Sequence, residues 1–260
     1  MPEFIQIRIA QSVATVTLSR PDLHNAFNDD MMKEIADTFA SLAISPDVRV
    51  IVLAAEGKSF CAGADIHWMR RMVGYSFDEN VADANVLSRM LRAIRECPKP
   101  VIARIHGAAL GGGVGLIAAC DMAVASANAS FSLSEVKLGI VPAVISPFVL
   151  EKIGSSAARR YALTAERFDA AEAKRIGLIN DVVDQPEQLD AWLAKVSESV
   201  IANGPAAIAA CKQILSHVAG QSWDDVQSYT TQQIARIRVT AEGQEGLKSF
   251  LEKRKPNWAG

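Results

Sequence analysis

The sequence predicts an α/β fold, and three features of the chain support this prediction. Residues 48–55 and residues 101–105 are apolar runs, each containing a single arginine, and such runs are typical of strands covered on both faces of a sheet. Each run is followed by small residues and then by a helical pattern, as in strand–helix units. The 260 residues with 50% hydrophobic content suffice for one large domain, or for a core domain with a helical appendage.

The first elements are a hairpin and a helix. Residues 4–9 and 13–18 alternate apolar and polar side chains, which is typical of half-buried strands joined in a hairpin. Asp29 or Asp30 is expected to cap the helix that follows the loop at 20–26. The apolar face of that helix would comprise Met32, Ile35, Ala36, Phe39 and Leu42.

Strands and helices continue to alternate up to about residue 132. After the strand at 48–55, a short helix is expected to begin at Asp65 and a longer helix to cover 77–95. The strand at 101–105 leads into three glycines and a helix at 113–119. Two short strands are then expected at 122–125 and 129–132.

From about residue 155, amphipathic helices replace strands. Leu189, Leu193, Val196 and Val200 recur at helical spacing, and similar patterns follow to the C-terminus. We therefore expect a core at residues 1–195 and a C-terminal helical region at 196–260. The apolar faces of this region exceed what a small appendage buries, so it is expected to dock on the core or on a neighbouring subunit.

Composition excludes several classes of function. A net charge of −2 provides no basic field for nucleic acid. The start of the chain does not resemble a signal peptide, and no uncharged apolar stretch reaches the length of a membrane span. The cysteines form no Cys-x-x-Cys pair and the histidines lack metal spacing, so we expect no metal site, no disulfides and a cytoplasmic location. These residues are Cys61, Cys97, Cys120, Cys211, His24, His67, His106 and His217.

The most informative segment is the glycine turn Gly111-Gly112-Gly113. It joins a strand to an apolar helix, so the first N–H groups of that helix are free to face a negative charge. No phosphate-loop lysine follows the glycines, and the spacing does not fit a dinucleotide fingerprint. The alternatives are an anion or oxyanion site and simple close packing of strand and helix.

A second segment offers a similar turn. Ala62, Gly63 and Ala64 follow the buried strand at 48–55, and Asp65 is expected to cap the next helix. We expect the two strand-to-helix turns to lie in one sheet and to supply two backbone donors of an oxyanion hole. Two ordinary loops of small residues are the alternative.

One acidic residue, Glu135, lies in an apolar stretch that is expected to be largely buried. Burial of an unpaired carboxylate raises its proton affinity, which suits a general acid or base near neutral pH. A structural ion pair, for example with Lys137, is the alternative.

Together these segments resemble the crotonase superfamily, the enoyl-CoA hydratases and isomerases. The residues 60–66, the turn at 110–113 and Glu135, fourteen residues after Asp121, are similar to the two oxyanion segments and the catalytic-glutamate segment of that family. Residues 245–254 are similar to its C-terminal helix. The resemblance covers the whole chain.

The resemblance implies a spiral of ββα units with a C-terminal helical trimerisation region. It also implies an acyl-CoA substrate, no cofactor beyond that CoA, and a trimer or a dimer of trimers. The N–H groups of Ala64 and Gly112 would hold the thioester oxygen, and Glu135 would be the catalytic acid–base. The CoA site would be lined by Leu23, His24, Ala26, Ala62, Asp65 and Ile66, with Phe250 and Lys253 at the nucleotide end. The acyl site would be lined by Leu110, Ser134, Glu135, Pro142 and Ala143.

One position departs from the pattern of two-glutamate hydratases. Their first glutamate would align with Gly115, so only Glu135 remains. The resemblance then implies a hydratase that uses one glutamate, with a Δ3,Δ2-enoyl-CoA isomerase as the alternative. A non-catalytic RNA-binding relative is a third possibility, which the net negative charge disfavours.

The continuation of the glutamate segment suggests a substrate. Residues 133–147 most closely resemble bacterial hydratases of methylglutaconyl-CoA and isohexenylglutaconyl-CoA, enzymes of leucine and acyclic-terpene breakdown. A branched or carboxylated acyl group is therefore expected. Arg70, Arg71 and Lys137 are candidate partners for a second carboxylate, and the loop at 70–79 is expected to close over the ligand.

Overall fold

The computed structural model describes residues 3–259, in which nine strands form two sheets. The larger sheet contains β1 (Ile5–Ala10), β2 (Val13–Leu18), β3 (Val50–Ala55), β4 (Val101–Ile105), β6 (Met122–Ser126) and β9 (Asp181–Val183), in that spatial order. The smaller sheet contains β5 (Ala108–Leu110), β7 (Ser130–Ser132) and β8 (Phe168–Asp169). β1 and β2 form the predicted hairpin, and all other neighbours in the larger sheet are parallel.

Ten helices lie among and after these strands. They are α1 (Asp29–Ile44), α2 (Ile66–Met72), α3 (Phe77–Arg95), α4 (Gly112–Ala119), α5 (Ser146–Thr164), α6 (Ala170–Arg175), α7 (Leu189–Ile201), α8 (Pro205–Val218), α9 (Trp223–Arg238) and α10 (Ala241–Leu251). Short 3-10 turns include one at Glu135–Leu138. None of the helices within residues 3–259 has the length and apolar character needed to cross a membrane.

The chain winds between the two sheets in repeated ββα units. β4 joins the larger sheet, β5 joins the smaller sheet, and α4 follows; β6, β7 and α5 repeat this order. This is the predicted α/β spiral. The predicted placement of both small-residue turns in one sheet is wrong, because the turn at 62–64 follows β3 of the larger sheet and the glycine turn follows β5 of the smaller sheet.

Two local predictions also need correction. α1 is capped by Asn28 and not by Asp29 or Asp30, because Asn28 has the extended backbone of a cap and its side chain accepts a hydrogen bond from the Met31 N–H. β3, which is predicted at residues 48–55, begins at Val50, two residues later than expected. The cap of α2 by Asp65 and the extent of α3 at 77–95 are confirmed.

The larger sheet is covered on both faces, which explains the continuous apolar run of β3. Ile51 and Leu53 belong to the main core with the α1 side chain Phe39. Val50, Val52 and Ala54 face the other side, where Leu189 and Leu193 of α7 cover them. Every residue of β3 is therefore buried.

α7 belongs to the packing of this sheet, whereas α8–α10 lie beyond it. Residue 195, where the boundary is predicted, lies inside α7. α8 contains no buried residue. A half-buried ion pair holds it to the core, since Lys212 Nζ lies 2.6 Å from Asp121 Oδ2 and donates to the Lys99 carbonyl oxygen.

Candidate active site

A short ladder of backbone hydrogen bonds brings the two small-residue turns together. The N–H groups of Phe60 and Cys61 donate to the Ala108 carbonyl oxygen, and the Leu110 N–H donates to the Cys61 carbonyl oxygen. These bonds form a parallel bridge between Cys61 and Ala109, outside both sheets proper. The turn after β3 therefore lies beside the turn after β5, although the two strands belong to different sheets.

A second bridge, on the other side of the first turn, orients Ala64. The Phe27 N–H donates to the Gly63 carbonyl oxygen at 2.9 Å, and the Asp65 N–H donates to the Phe27 carbonyl oxygen at 3.0 Å. Successive peptide groups of an extended chain point to opposite sides. The Ala64 N–H, between these two bonds, therefore points away from the Phe27 backbone.

The Gly112 N–H is the second candidate donor. Gly112 is the first residue of α4, so no helical carbonyl precedes it to accept its hydrogen. Among residues 3–259, neither the Ala64 N–H nor the Gly112 N–H donates to a backbone acceptor outside the regular elements. A methyl group added to Gly63 would lie 3.5 Å from the Gly112 nitrogen, so the two turns are in contact.

The surroundings strengthen these donors. The N-terminal end of a helix carries partial positive charge, and this end of α4 coincides with Gly112. All residues of α4 after Gly112 are buried, which lowers the local dielectric and strengthens the attraction for a developing negative charge. The arrangement is suited to an oxygen that becomes anionic.

Glu135 lies against the same turn. A methyl group added to Gly111 would lie 3.2 Å from Glu135 Oε1 and 3.7 Å from Ser134 Oγ. Glu135 Oε2 is buried and accepts no hydrogen bond from any residue that the structure describes. Burial raises the pKa of this carboxyl above its ordinary value, although a hydrogen bond from its own backbone N–H acts in the opposite direction. Among the described residues, Glu135 forms no ion pair with Lys137, which was the alternative.

The chain beyond Glu135 is more exposed than predicted. Glu135 itself is half-buried, but residues 137–141 are exposed, including Leu138, Ile140 and Val141. Such apolar exposure next to a site is unusual in a single chain unless a ligand or another molecule covers it.

An apolar cavity of about 230 Å³ opens behind this segment. Its wall includes Leu133 and Pro142, which flank Glu135, and Ile145 at the start of α5; Ser146 and Arg159 are its only polar side chains. Ala143 lies exposed at its edge and is tied to the local turn by backbone bonds to Val141 and Ser146. Leu110 and Ser134 are half-buried beside the glycine turn.

Ile145 also explains why residue 115, which aligns with the first glutamate of two-glutamate hydratases, is a glycine. A methyl group added to Gly115 would lie 2.3 Å from Ile145 Cγ2 and 2.9 Å from its Cβ. The side chain of Ile145 therefore fills the space that any side chain at residue 115 would need. Sequence reasoning had not singled out Ile145, because nothing local couples residues thirty positions apart.

The residues predicted for the CoA site gather at the edge of the first turn. The Ala62 N–H donates to the His24 carbonyl oxygen, and the Ala26 N–H donates to the Leu23 carbonyl oxygen. Leu23, His24 and Ile66 are exposed, whereas Ala26 is buried. Asn25, which is fully buried, fixes this loop by donating to the Glu56 and Ser59 carbonyl oxygens.

Asp65 lies in this group, but its carboxylate is already engaged. It accepts hydrogen bonds from the His67 N–H and from Arg20, with which it forms an ion pair at 2.8 Å. Burial acts to raise the pKa of Asp65, yet these hydrogen bonds outweigh it and the pKa is lowered. Its side chain supports the turn and its backbone N–H is bonded to Phe27, so the exposed Ile66 is the neighbour that a ligand can contact.

Phe250 and Lys253 lie apart from these residues within one chain. Phe250, near the end of α10, is 81% exposed, and Lys253 is exposed in a left-handed conformation just beyond the helix. The structure of the single chain therefore does not bring them to the other candidate residues.

Two further features bear on ligands. A cavity of about 1060 Å³ lies between the larger sheet and α7, and none of the predicted site residues lines it. Within residues 3–259, no group of three or more His, Cys, Asp or Glu side chains is placed to hold a metal ion.

Comparison with known proteins agrees with this geometry. The family model for enoyl-CoA hydratase/isomerase matches residues 8–260. The chain is 34% identical over 258 residues to the crotonyl-CoA hydratase of Syntrophomonas wolfei, covering 98% of each protein. It is also 34% identical over 269 residues to the peroxisomal Delta(3,5)-Delta(2,4)-dienoyl-CoA isomerase of Arabidopsis thaliana, covering 99% of this chain and 96% of that protein.

A solved structure gives the same result. The crystal structure of an enoyl-CoA hydratase from Shewanella pealeana superposes with a TM-score of 0.95 at 43% identity, covering 98% of this chain and 96% of that chain. The match extends over the core and the C-terminal helices alike. The chain therefore belongs to the enoyl-CoA hydratase/isomerase family, within the crotonase superfamily.

Proposed function

We propose that this protein hydrates 2-enoyl-CoA thioesters, with Glu135 as its single carboxylate. The observation that carries the proposal is that two backbone donors without a partner among the described residues, at Ala64 and Gly112, lie in the same region as the carboxylate of Glu135, whose Oε2 is buried and accepts no hydrogen bond from those residues. The thioester oxygen accepts hydrogen bonds from both N–H groups. Each such donor contributes about 2.7–4 kcal/mol to lowering the barrier.

Glu135 then acts as base and as acid in turn. It takes a proton from water as the water oxygen bonds to Cβ, and the electrons of the double bond move to the thioester oxygen to give an enolate. The same proton passes from Glu135 to Cα, and the enolate returns to a thioester. The product is a 3-hydroxyacyl-CoA, and Glu135 ends as a carboxylate.

A Δ3,Δ2-enoyl-CoA isomerase is the second candidate. Ile145 closes the space at Gly115, so only one carboxylate faces the proposed site, and moving a proton between two carbons requires no second one. An isomerase of dienoyl-CoA is among the relatives. In this reaction Glu135 removes a proton from C2 of a 3-enoyl-CoA and returns it to C4.

For the acyl group we propose a branched and carboxylated chain of the methylglutaconyl type. The apolar wall of Leu133, Pro142 and Ile145 suits a methyl branch, and a cation must then meet the second carboxylate. Arg71 is held by Asp29, which makes it less available. Lys137, exposed two residues beyond Glu135, and Arg70, which is also exposed, are the remaining candidates from the sequence.

The CoA moiety is proposed to lie along the edge formed by residues 23–26 and 62–66. Leu23 and His24 are exposed there, and the Ala62 and Ala64 backbones are close to them. No cofactor beyond CoA is proposed. The core as far as about residue 195 would bind the thioester, and the helices beyond it would complete the nucleotide end through Phe250 and Lys253.

We further propose that the chain assembles as a trimer or a dimer of trimers. In one chain, α8 buries no residue, and large apolar side chains on α8–α10 are exposed. These side chains are Leu215, Trp223, Ile234, Leu247, Phe250 and Leu251. A neighbouring subunit that covers them would also bring Phe250 and Lys253 toward a site that they do not reach in their own chain.

Replacing Glu135 with glutamine should abolish hydration without weakening the fold. We expect Glu135→Gln to lower kcat by about 10²–10⁴-fold, because the amide cannot accept and return the proton, while the Kd of a CoA thioester stays unchanged. Its free energy of unfolding at pH 7 should be no lower than that of the wild type, since Oε2 of the ionised carboxylate is buried without a hydrogen-bond partner. The control is Glu96→Gln, an exposed carboxyl at the end of α3, and near-normal turnover by Glu135→Gln would refute the assigned role.

The pH dependence of kcat/KM should report the raised pKa of Glu135. The reaction needs the carboxylate form, which is lost as the pH falls through this pKa, so the acid limb should lie above the ordinary glutamate value of about 4.3. Stability changes in the opposite direction: a raised pKa favours the folded state at acid pH, and this contribution disappears as the pH rises through that pKa. An acid limb at or below the ordinary value would argue against a buried base.

Separate substrates should distinguish the two reactions. In ¹⁸O-labelled water, we expect 2-enoyl-CoA thioesters to gain one labelled hydroxyl, with kcat/KM higher for methylglutaconyl-CoA than for crotonyl-CoA. Conversion of a 3-enoyl-CoA to a 2-enoyl-CoA without label, together with no hydration of either 2-enoyl-CoA, would replace the hydratase with the isomerase. A higher kcat/KM for crotonyl-CoA would refute only the proposed acyl preference.

Light scattering should find a mass of three or six 27.9 kDa chains. Leu251→Glu on α10 should reduce that mass, because it places a charge in the proposed contact, whereas Ile44→Glu at the end of α1 should not. Both leucine and isoleucine are largely exposed in the single chain, so they form a matched pair. A monomeric wild type would contradict the assembly.

A further inference from the structure

Phe27 contacts both turns that carry the proposed oxyanion donors. Its backbone bonds to Gly63 and Asp65, the residues on either side of Ala64. Its side chain extends to Gly112, where a methyl group would lie only 2.3 Å from the ring atom Cζ. One residue therefore fixes the direction of one N–H and abuts the residue that carries the other.

The contact with Gly112 involves the far edge of the ring. The nearest ring atoms are Cζ at 2.3 Å, Cε1 at 3.1 Å and Cε2 at 3.4 Å from that methyl position. These three atoms are the ones that a leucine in place of phenylalanine lacks. The length of the side chain at residue 27 therefore determines how closely the start of α4 approaches the first turn.

The ring of Phe27 packs against a second buried aromatic ring. Phe27 is 1% exposed, and its ring lies 6.3 Å from the ring of Trp68 at an interplanar angle of 50°. Trp68 is 4% exposed, and its indole N–H donates to Asp83 Oδ1 at 2.8 Å, which ties α2 to α3. Because Trp68 is fixed in this way, the ring of Phe27 cannot withdraw from Gly112 without a shift of α2.

We propose that Phe27 is a positioning residue that sets the separation of the Ala64 and Gly112 N–H groups. The proposal rests on the proposed function, because it requires both groups to bind the thioester oxygen. Two donors stabilise a developing oxyanion only when both lie at hydrogen-bond distance from it. A shorter side chain at residue 27 lets the start of α4 settle toward the first turn and misaligns the pair.

The test compares Phe27→Leu with Phe39→Leu. Phe39 is a fully buried phenylalanine of α1 in the main core and is the matched control for lost aromatic volume. Each variant is measured for kcat, KM and free energy of unfolding. The bound absorbance of 4-dimethylaminocinnamoyl-CoA is measured as well, since hydrogen bonds to its thioester oxygen polarise the conjugated chain and shift the band to the red.

We expect Phe27→Leu to lower kcat by about 10- to 100-fold with little change in KM, because a misplacement of about 1 Å costs up to about 10²-fold. The red shift of the bound thioester should become smaller. Phe39→Leu should lose stability but keep the wild-type kcat and red shift. If Phe27→Leu does not fold, Trp68→Phe, which removes the hydrogen bond to Asp83 and frees the ring, is measured in its place with the same expected result.

Two outcomes overturn the proposal in different ways. If Phe27→Leu keeps the kcat and the red shift of Phe39→Leu, Phe27 only fills volume and the proposal is wrong. If the wild-type protein itself neither hydrates an enoyl-CoA nor shifts the bound band, the proposed function fails, and the positioning role fails with it.

Discussion

The structure of the site depends on two short backbone bridges outside the regular sheets, at Phe27–Ala64 and Cys61–Ala109. In the first bridge, Phe27 bonds to the Gly63 carbonyl oxygen and to the Asp65 N–H. The Ala64 N–H between them points the other way and has no backbone partner in the part of the chain that the structure describes. An unpaired buried N–H is costly in a folded protein. Here the N–H groups of two half-buried residues, Ala64 and Gly112, lack a backbone partner within residues 3–259, which is understandable if an oxygen of the substrate completes their hydrogen bonding.

The same region contains Glu135. A carboxylate beside unpaired N–H donors could satisfy them itself, yet Glu135 Oε2 remains without a partner, and its Oε1 lies against Gly111. The two N–H donors and the carboxylate of Glu135 thus lie in the same region without bonding to each other. Under the proposed function, a thioester that binds between them would offset the energy that these groups cost the folded chain.

Local signals predicted much of the fold, and contacts distant in sequence decided the rest. The cap at Asp65, the hairpin and α3 follow from neighbouring residues, and the two turns and Glu135 were identified from their residue types and from the family resemblance. Asn28 caps α1 because the backbone is still extended at residue 28. The sequence places three cap-forming residues side by side here, at 28, 29 and 30, and does not show at which of them the extended backbone ends. Phe27 and Ile145 escaped prediction, because their importance comes from contacts with Gly112 and Gly115, more than twenty residues away.

The contact between Ile145 and Gly115 has an evolutionary consequence. A carboxylate at residue 115 alone would collide with Ile145, and a smaller residue at 145 alone would leave a void in the core beside α4. The two positions are therefore coupled: each single substitution is expected to lower stability, and a side chain at residue 115 requires a change at residue 145 as well. An evolutionary path from this chain to a two-carboxylate enzyme therefore needs both substitutions.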